Sequence, residues 1–288
     1  MTFATIGSSS GGAPGTGRGP WAAAELSPAR LPRADRVLAI TARPGQESAS
    51  LGGLLYALRS SGASVSLLSL TRGEASGLNS TLQPLEAVRP WELQLAAFLL
   101  GVSSVAVSDY PDGSLSGCEL TTLTERVHRA IRLHSPGLLV VIDPLDADAD
   151  SAMAAMAACA AADEVGVPVV ARTLPAARGG WQVSLGAETA AARAAQRSAA
   201  AAHRSQSAGL SELMSHLDQL GAEEWLRWLI APAGRRLVGQ HPAGQHPAGQ
   251  RPAGQHPAGQ HPAAQERAAS TGALGLVPLP RLAALRPL

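Results

Sequence analysis

The chain has 288 residues, a formal net charge of +1, and basic side chains that are all arginine. So small a net charge argues against a nucleic acid or an anionic membrane as partner. No apolar run reaches the roughly 20 residues of a membrane helix, and the N-terminus lacks a basic segment followed by an apolar one. We therefore expect a cytoplasmic protein.

Composition divides the chain into three parts. Residues 1–33 are rich in Gly, Ser, Ala and Pro, which predicts a disordered tail. Residues 231–288 form a second tail, in which the pentapeptide Gly-Gln-His-Pro-Ala repeats between 239 and 263, once with Arg in place of His. A proline every fifth residue excludes a continuous helix or a central strand. We predict a flexible tract there, whose histidines could bind a divalent metal weakly, and one domain over 34–230.

Short apolar runs that end at turn residues predict strands, and longer apolar-patterned segments closed by glycine predict helices. In chain order we predict strand 37–40, helix 51–61, strand 65–70, helix 85–100, strand 105–107, helix 120–133, strand 138–142, helix 152–165, strand 167–171, a candidate strand 181–185, a long helix 190–220 with a break near Gly209, and a short helix 224–229. Fully apolar strands that alternate with helices predict an α/β domain, with a mostly parallel sheet covered by helices on both faces.

Ligands of such sheets lie beyond the carboxyl ends of the strands. The loops to inspect are therefore 41–50, 71–80, 108–118 and 143–151. The first loop reads Ala42-Arg43-Pro44-Gly45-Gln46-Glu47 and leads to Leu51-Gly52-Gly53. The later motifs are Thr71-Arg72-Gly73-Glu74, Arg89-Pro90-Trp91-Glu92 with Leu100-Gly101-Val102, Tyr110-Pro111-Asp112-Gly113 and His203-Arg204-Ser205-Gln206.

These motifs, in this order, resemble those of the LmbE-like and PIG-L family of N-acetylglucosaminyl deacetylases, which includes GlcNAc-PI and mycothiol-pathway deacetylases. The resemblance extends over about residues 36–230. It implies a Rossmann-like LmbE fold and a zinc-dependent hydrolysis of the amide C–N bond of an N-acetyl sugar. In such chemistry three protein ligands leave one zinc position open for a water molecule, whose pKa the metal lowers.

The resemblance also implies that the zinc ligands and the general base are replaced here. The first loop of the family reads Ala-His-Pro-Asp-Asp-Glu, and its ligand positions are occupied by Arg43 and Gln46, its base position by Gly45. The last ligand of a later His-Pro-Asp-His element aligns with Ser151. A guanidinium stays protonated and has no lone pair to offer a metal. We therefore expect no cofactor and an inactive homologue that keeps its pocket.

The candidate pocket residues are Arg43, Glu47, Arg72, Glu74, Asp109, Asp112, Asp148, Asp150 and His203. The cation of Arg43 is expected to replace the metal electrostatically, by pairing with Glu47, Asp109 or the acids of 146–150. Alternating aspartates over 146–150 are typical of the start of a calcium loop. However, Ser151 and Ala157 stand where that loop needs Gly and Glu. The same acids are otherwise interpreted as a solvated loop that caps the next helix.

Other chemistries find little support. No Gly-x-Ser-x-Gly motif occurs, and His128, His134 and His216 lack metal-ligand spacing. Cys118 and Cys159 are far apart and are interpreted as ordinary thiols. Two alternatives stay open: an active amidohydrolase with a rearranged site, and a partner-binding or structural protein that acts through its tail. A sugar-like molecule or a protein is the expected partner.

Overall fold

The computed structural model describes residues 30–75, 84–145, 147–175 and 177–232. Nearly all of the two predicted tails, including the Gly-Gln-His-Pro-Ala repeats, lies outside these ranges. The strands are β1 Arg36–Thr41, β2 Ser64–Thr71, β3 Ser104–Tyr110, β4 Leu138–Ile142, β5 Val169–Arg172, β6 Gly180–Ser184 and β7 Glu223–Ile230. The helices are α1 Gln46–Ala49, α2 Gly52–Ser60, α3 Leu85–Leu99, α4 Leu120–His134, α5 Ala149–Val165, α6 Thr189–Ala202 and α7 Leu210–Asp218.

The strands form one sheet in the order β3-β2-β1-β4-β5-β7-β6. β1 pairs in parallel with both β2 and β4, and the parallel pairing continues to β3 on one side and β5 on the other. β7 runs antiparallel to both β5 and β6. The mostly parallel sheet predicted from the sequence is confirmed. Strand order reverses at β1, so the crevice where such sheets bind ligands lies between the ends of β1 and β4.

Two apolar cores cover the two faces of the sheet. One contains Leu54 of α2, Leu93 of α3 and Ala199 of α6. The other contains Val127 of α4 and Ala158 of α5. The helices on both faces therefore follow from strands that carry buried apolar side chains on both sides of the sheet. Among the described residues, no helix has both the length and the apolar character needed to cross a bilayer.

One prediction about the last elements is wrong, whereas the predicted break of the long helix near Gly209 is confirmed. Residues 224–229 were expected to form a helix, but they belong to strand β7. Pairing with two neighbouring strands decides this, because Leu226 lies opposite both Arg172 of β5 and Trp181 of β6. The long helix over 190–220 is divided into α6 and α7 by the turns of 204–209. Tertiary pairing outweighs helix propensity in so short a segment.

The paired glycines at the start of α2 allow α6 to come close. A Cβ on Gly53 would lie 2.4 Å from Nη1 of Arg193, and one on Gly52 would lie 2.8 Å from Cγ of Gln196. Arg193 in turn bonds to the buried Glu224 of β7 at 2.6 Å. The close packing positions α6, and with it the segment that begins at His203, against the loop after β1.

Candidate functional site

The loop after β1 is closed by its own side chain. Oε1 of Gln46 accepts hydrogen bonds from the backbone N–H of Ala42 at 3.0 Å and of Arg43 at 3.3 Å. Gly45 precedes Gln46 in this loop and has a φ of +101°, a conformation that strongly favours glycine. These contacts use the acceptor of Gln46 and leave its amide N–H₂ pointing out of the loop.

That amide meets the start of α5. Nε2 of Gln46 donates to Oγ of Ser151 at 2.6 Å, across 105 residues of sequence. Oγ of Ser151 donates to Asp148 at 3.0 Å, and Nη2 of Arg43 donates to the same carboxylate at 2.8 Å. Positions 43, 46 and 151 therefore come together around one carboxylate, as expected from loops that follow adjacent parallel strands.

Arg43 lies among three carboxylates. Besides Asp148, its Nε is 3.0 Å from Oδ1 of Asp112, and its Nη2 is 3.6 Å from Oδ2 of Asp150. The side chains of Asp112 and Asp150 are only 3% exposed, whereas that of Arg43 is 29% exposed. The pairing expected with the acids after β4 is thus present for Asp148 and Asp150. Asp146 lies outside the described residues.

The other partners expected for Arg43 are engaged elsewhere. Glu47 pairs with His203, and Asp109 pairs with Arg72 on the exposed surface. Asp112 pairs with Arg43 instead, because the turn after β3 brings its carboxylate next to the β1 loop. Of the alternative partners predicted for Arg43, the acids after β4 are therefore the ones that pair with it.

The acids around Arg43 also hold the loops. Asp148 caps α5 by accepting from the backbone N–H groups of Asp150 and Ser151, both at 3.1 Å. Burial would raise the pKa of Asp148, but the backbone of Ser151 and the charge of Arg43 outweigh it and lower that pKa. Asp150 accepts from the backbone N–H groups of Gly113 and Leu115, at 2.7 and 2.9 Å. The predicted helix-capping role of this acidic loop is confirmed.

The Thr-Arg-Gly-Glu and Tyr-Pro-Asp-Gly motifs bind to each other. Asp112 accepts from the backbone N–H of Ala75 at 3.0 Å, and its own N–H donates to Glu74 at 2.9 Å. Arg72, which bonds to Asp109, also donates to the backbone carbonyl of Glu86 at 3.2 Å. Glu74 and Asp109 are exposed, so they and Arg72 offer polar groups to solvent at this end of the sheet.

Glu47 and His203 form a buried ion pair behind the β1 loop. Their side chains are 0% and 3% exposed, and Nε2 of His203 is 2.6 Å from Oε1 of Glu47. Glu47 also accepts from Oγ of Ser48 at 2.6 Å and from the backbone N–H of Gly45 at 2.8 Å. The two residues support the loop from behind and are not accessible as pocket-lining groups, contrary to the prediction.

The pairing shifts the pKa values of both residues. Burial opposes the charge on each, but the opposite charge and the hydrogen bond prevail, so the pKa of His203 is raised and that of Glu47 is lowered. Nδ1 of His203 has no hydrogen-bond partner among the described residues. Both shifts favour the charged forms, an imidazolium beside a carboxylate.

This pair predicts a pH-dependent contribution to stability. The raised pKa of His203 stabilises the fold fully below its reference value of 6.5, and the contribution is lost as pH rises through the folded value. The lowered pKa of Glu47 contributes above 4.5 and is lost as pH falls through its folded value. We expect the difference in free energy of unfolding between wild type and His203→Gln to be largest between these limits. It should shrink at higher pH by at most about 1.4 kcal/mol per pH unit.

Denaturant unfolding of both proteins from pH 5 to pH 8.5 measures this difference. His216→Gln, which changes an exposed histidine, is the matched control and should follow wild type at every pH. A difference between wild type and His203→Gln that stays constant, or grows, above pH 6.5 would rule out the charged pair.

Arg89 is a buried residue that the sequence marked only as part of a motif. It is 0% exposed, its Nε donates to Oγ of Ser205 at 3.3 Å, and its Nη1 donates to the backbone carbonyl of Gly73. Ser205 donates in turn to Glu92, from its hydroxyl at 2.6 Å and from its backbone N–H at 2.7 Å. The Arg-x-x-Glu and His-x-Ser-Gln motifs therefore bind each other behind the β2 loop.

The residues at the three family ligand positions do not suit zinc. Arg43 places a cation among three carboxylates and offers no lone pair to a metal. Gln46 and Ser151 use their polar atoms on each other, on Asp148 and on the β1 loop. Within the described ranges, no three His, Cys, Asp or Glu side chains are placed to hold a metal ion.

Comparison with known proteins agrees with this fold. Residues 38–162 match the family model described as GlcNAc-PI de-N-acetylase, PIG-L. No curated protein matches the chain significantly.

Solved structures extend the likeness beyond that segment. The conserved protein TT1542 of Thermus thermophilus superposes with a TM-score of 0.55 at 18% identity, covering 73% of this chain and 100% of its own. The N,N'-diacetylchitobiose deacetylase of Pyrococcus horikoshii gives 0.55 at 17% identity, covering 68% and 84%. The 4-carboxy-2-hydroxymuconate hydratase GalB of Pseudomonas putida gives 0.51 at 16% identity, covering 70% and 99%. The fold is therefore shared by a deacetylase and by an enzyme of different activity.

Proposed function

Residues 38–162 of this chain belong to the PIG-L family, and on that premise we propose that the protein is a catalytically inactive homologue of its N-acetyl-sugar deacetylases. One observation carries the proposal. The Arg43 guanidinium lies among Asp112, Asp148 and Asp150, at the loop where the resemblance places the metal. A fixed cation of the protein thus stands in for zinc, the cofactor that the family implies.

A guanidinium replaces the charge of a metal but not its chemistry. Amide hydrolysis in this family needs a Lewis acid that lowers the pKa of a bound water and polarises the carbonyl. Arg43 offers donors only. The base position has no side chain, and the φ of +101° at Gly45 makes any other residue there strained. The metal ligands and the base are therefore replaced together, and no other described group takes over their roles.

The loops themselves stay organised, which supports retained binding. Arg72, Glu74 and Asp109 present a cation and two carboxylates to solvent near the Arg43 cluster, which we define as Arg43 with Asp112, Asp148 and Asp150. Such groups suit the hydroxyls of a sugar-like ligand or a polar protein surface. We propose that the protein binds one of these without turnover.

Acetate release tests the proposal. The full chain is incubated with N-acetylglucosamine and N,N'-diacetylchitobiose, with and without added zinc. We expect acetate to form no faster than without protein, because neither the Lewis acid nor the base is present. The alternative, an active amidohydrolase with a rearranged site, requires zinc-stimulated acetate release that the variant Asp148→Asn loses. Such a result would overturn the proposal. Action through the tail stays a separate prediction, tested by deletion of 231–288.

A further inference from the structure

Arg126 on α4 is buried without a carboxylate to balance its charge. Arg89, Arg126 and Arg193 are the buried arginines of the described residues. Arg193 bonds to Glu224 at 2.6 Å, and Arg89 lies in the field of Asp112 and Glu92. Nε of Arg126 instead donates to Oγ of Ser108 at 2.8 Å, and within the described ranges Arg126 has no ion pair. A buried charge without a counter-charge is costly, and proteins rarely retain one.

The groups around Arg126 carry hydroxyl and ring N–H groups. Arg126 faces the side of the edge strand β3 that carries Ser104, Ser108 and Tyr110. Oγ of Ser104 donates to Oγ of Ser66 at 3.0 Å, and Ser66 lies 3.2 Å from Nδ1 of His134. These polar side chains lie between β3 and α4, and we call the region that they line, beside the exposed Arg129, the cleft between β3 and α4.

Two positive charges, those of Arg126 and Arg129, act on each other in this cleft. Burial lowers the pKa of Arg126, and the neighbouring Arg129 lowers it further, while Tyr110 raises it. Burial also lowers the pKa of His134, and Arg126 adds to that effect. The acid that faces the cleft from the same helix is Glu125, which is exposed and acts on Tyr110. An anion in the cleft would relieve the repulsion between Arg126 and Arg129.

We propose that the cleft between β3 and α4 is a binding site for a phosphate group, held by Arg126 and Arg129 and supported by the hydroxyls of β2 and β3. Guanidinium groups match the oxygens of phosphate in two-point contacts. A doubly charged anion also balances two arginines, which a single carboxylate does not. The cleft lies on the face of the sheet that α4 and α5 cover, opposite to α3 and α6, and it is independent of the Arg43 cluster.

Calorimetric titration of the full chain with inorganic phosphate tests the site, at constant ionic strength set with chloride. We expect saturable binding to wild type and at least about tenfold weaker binding to Arg126→Met and to Arg129→Gln. Arg132→Met, on the exposed side of the same helix, is the matched control and should bind like wild type. A second titration with glycerol phosphate shows whether the site also accepts a phosphate ester.

Stability provides a second readout. In phosphate-free buffer, Arg126→Met should melt at a higher temperature than wild type, because methionine replaces an unbalanced buried charge with apolar volume. Phosphate stabilises many proteins by exclusion from their surface, and all variants share that effect. The specific part is the additional rise in wild type that Arg126→Met lacks. No saturable phosphate binding, or equal binding to wild type and to both cleft variants, would overturn the proposal.

Discussion

Replacement of Arg43 by alanine should lower the free energy of unfolding by about 2 kcal/mol and create a binding site for a divalent cation. The change leaves Asp112 and Asp150, each 3% exposed, together with Asp148 and without their shared counter-charge. Breaking a fully buried pair typically costs about 3–5 kcal/mol. We expect less here because 29% of the Arg43 side chain is exposed and solvent screens its charge.

In wild type no three acidic side chains of the described ranges are placed to hold a metal ion. We expect the removal of Arg43 to free the three carboxylates to rearrange around a hard cation. Calcium and magnesium prefer carboxylate oxygens, so the repeated histidines of the tail do not compete for them. Either ion at millimolar concentration should restore much of the lost stability of Arg43→Ala and leave wild type unchanged. Thermal unfolding with and without each ion measures both effects.

Arg72→Ala is the matched control. It removes an arginine from an exposed pair with Asp109, and exposed pairs contribute about 0–1 kcal/mol. Equal stability of Arg43→Ala and wild type, or equal stabilisation of both by the cations, would show that Arg43 does not balance the three acids.

Rebuilding the ligand set should restore zinc binding before it restores activity. Positions 46 and 151 already touch, with 2.6 Å between Nε2 of Gln46 and Oγ of Ser151, and Arg43 reaches the same Asp148. The triple variant Arg43→His, Gln46→Asp, Ser151→His therefore offers three zinc ligands of suitable type in one place. We expect it to bind one zinc ion tightly and to release no acetate, because the base is still missing.

Addition of Gly45→Asp should fail to supply that base. The φ of Gly45 is +101°, and a Cβ there would meet the amide of Gln206 at 2.9–3.0 Å. A residue forced into so unfavourable a backbone conformation costs about 1–3 kcal/mol. The quadruple variant should thus be less stable than the triple one and almost inactive. Removal of the obstructing amide by Gln206→Ala should relieve the contact but not the backbone strain.

Acetate release and zinc content of the triple, quadruple and quintuple variants, beside Gln206→Ala alone, separate these contributions. Full deacetylase activity in the quadruple variant would show that the β1 loop readily adopts the conformation of an active site. The inactivity would then follow from the side chains alone.

The sequence predicted the sheet because β1, β2, β4 and β5 are apolar along almost their whole length. The sequence did not predict β7, because the pattern of residues 224–229 fits a short half-buried helix as well as it fits a strand. Only the position of β5 and β6 beside this segment decides between them. The convergence of the loops after β1 and β4 was also predictable, because adjacent parallel strands end at the same edge.

The partners of each charge were less predictable. Asp109 lies at the end of β3 and Asp112 in the turn that follows it, yet Asp109 pairs with Arg72 on the surface and Asp112 pairs with Arg43. Glu47 and His203 belong to the sequence motifs, but both are buried behind the β1 loop. Arg126 lies on an ordinary amphipathic helix, and nothing in its sequence context distinguishes it from Arg129 or Arg132. Burial and side-chain direction, which depend on the packed structure, determine all three outcomes.

Zinc affinity of the unmodified full chain tests most directly the claim that Arg43 has taken the place of the metal. Competition with a chelator of nanomolar affinity excludes weak binding by the repeated histidines, and Gln46→Ala is measured beside wild type. We expect both proteins to lose all their zinc to the chelator, whereas the triple variant retains one equivalent. One equivalent of zinc held by wild type and lost by Gln46→Ala would contradict the account.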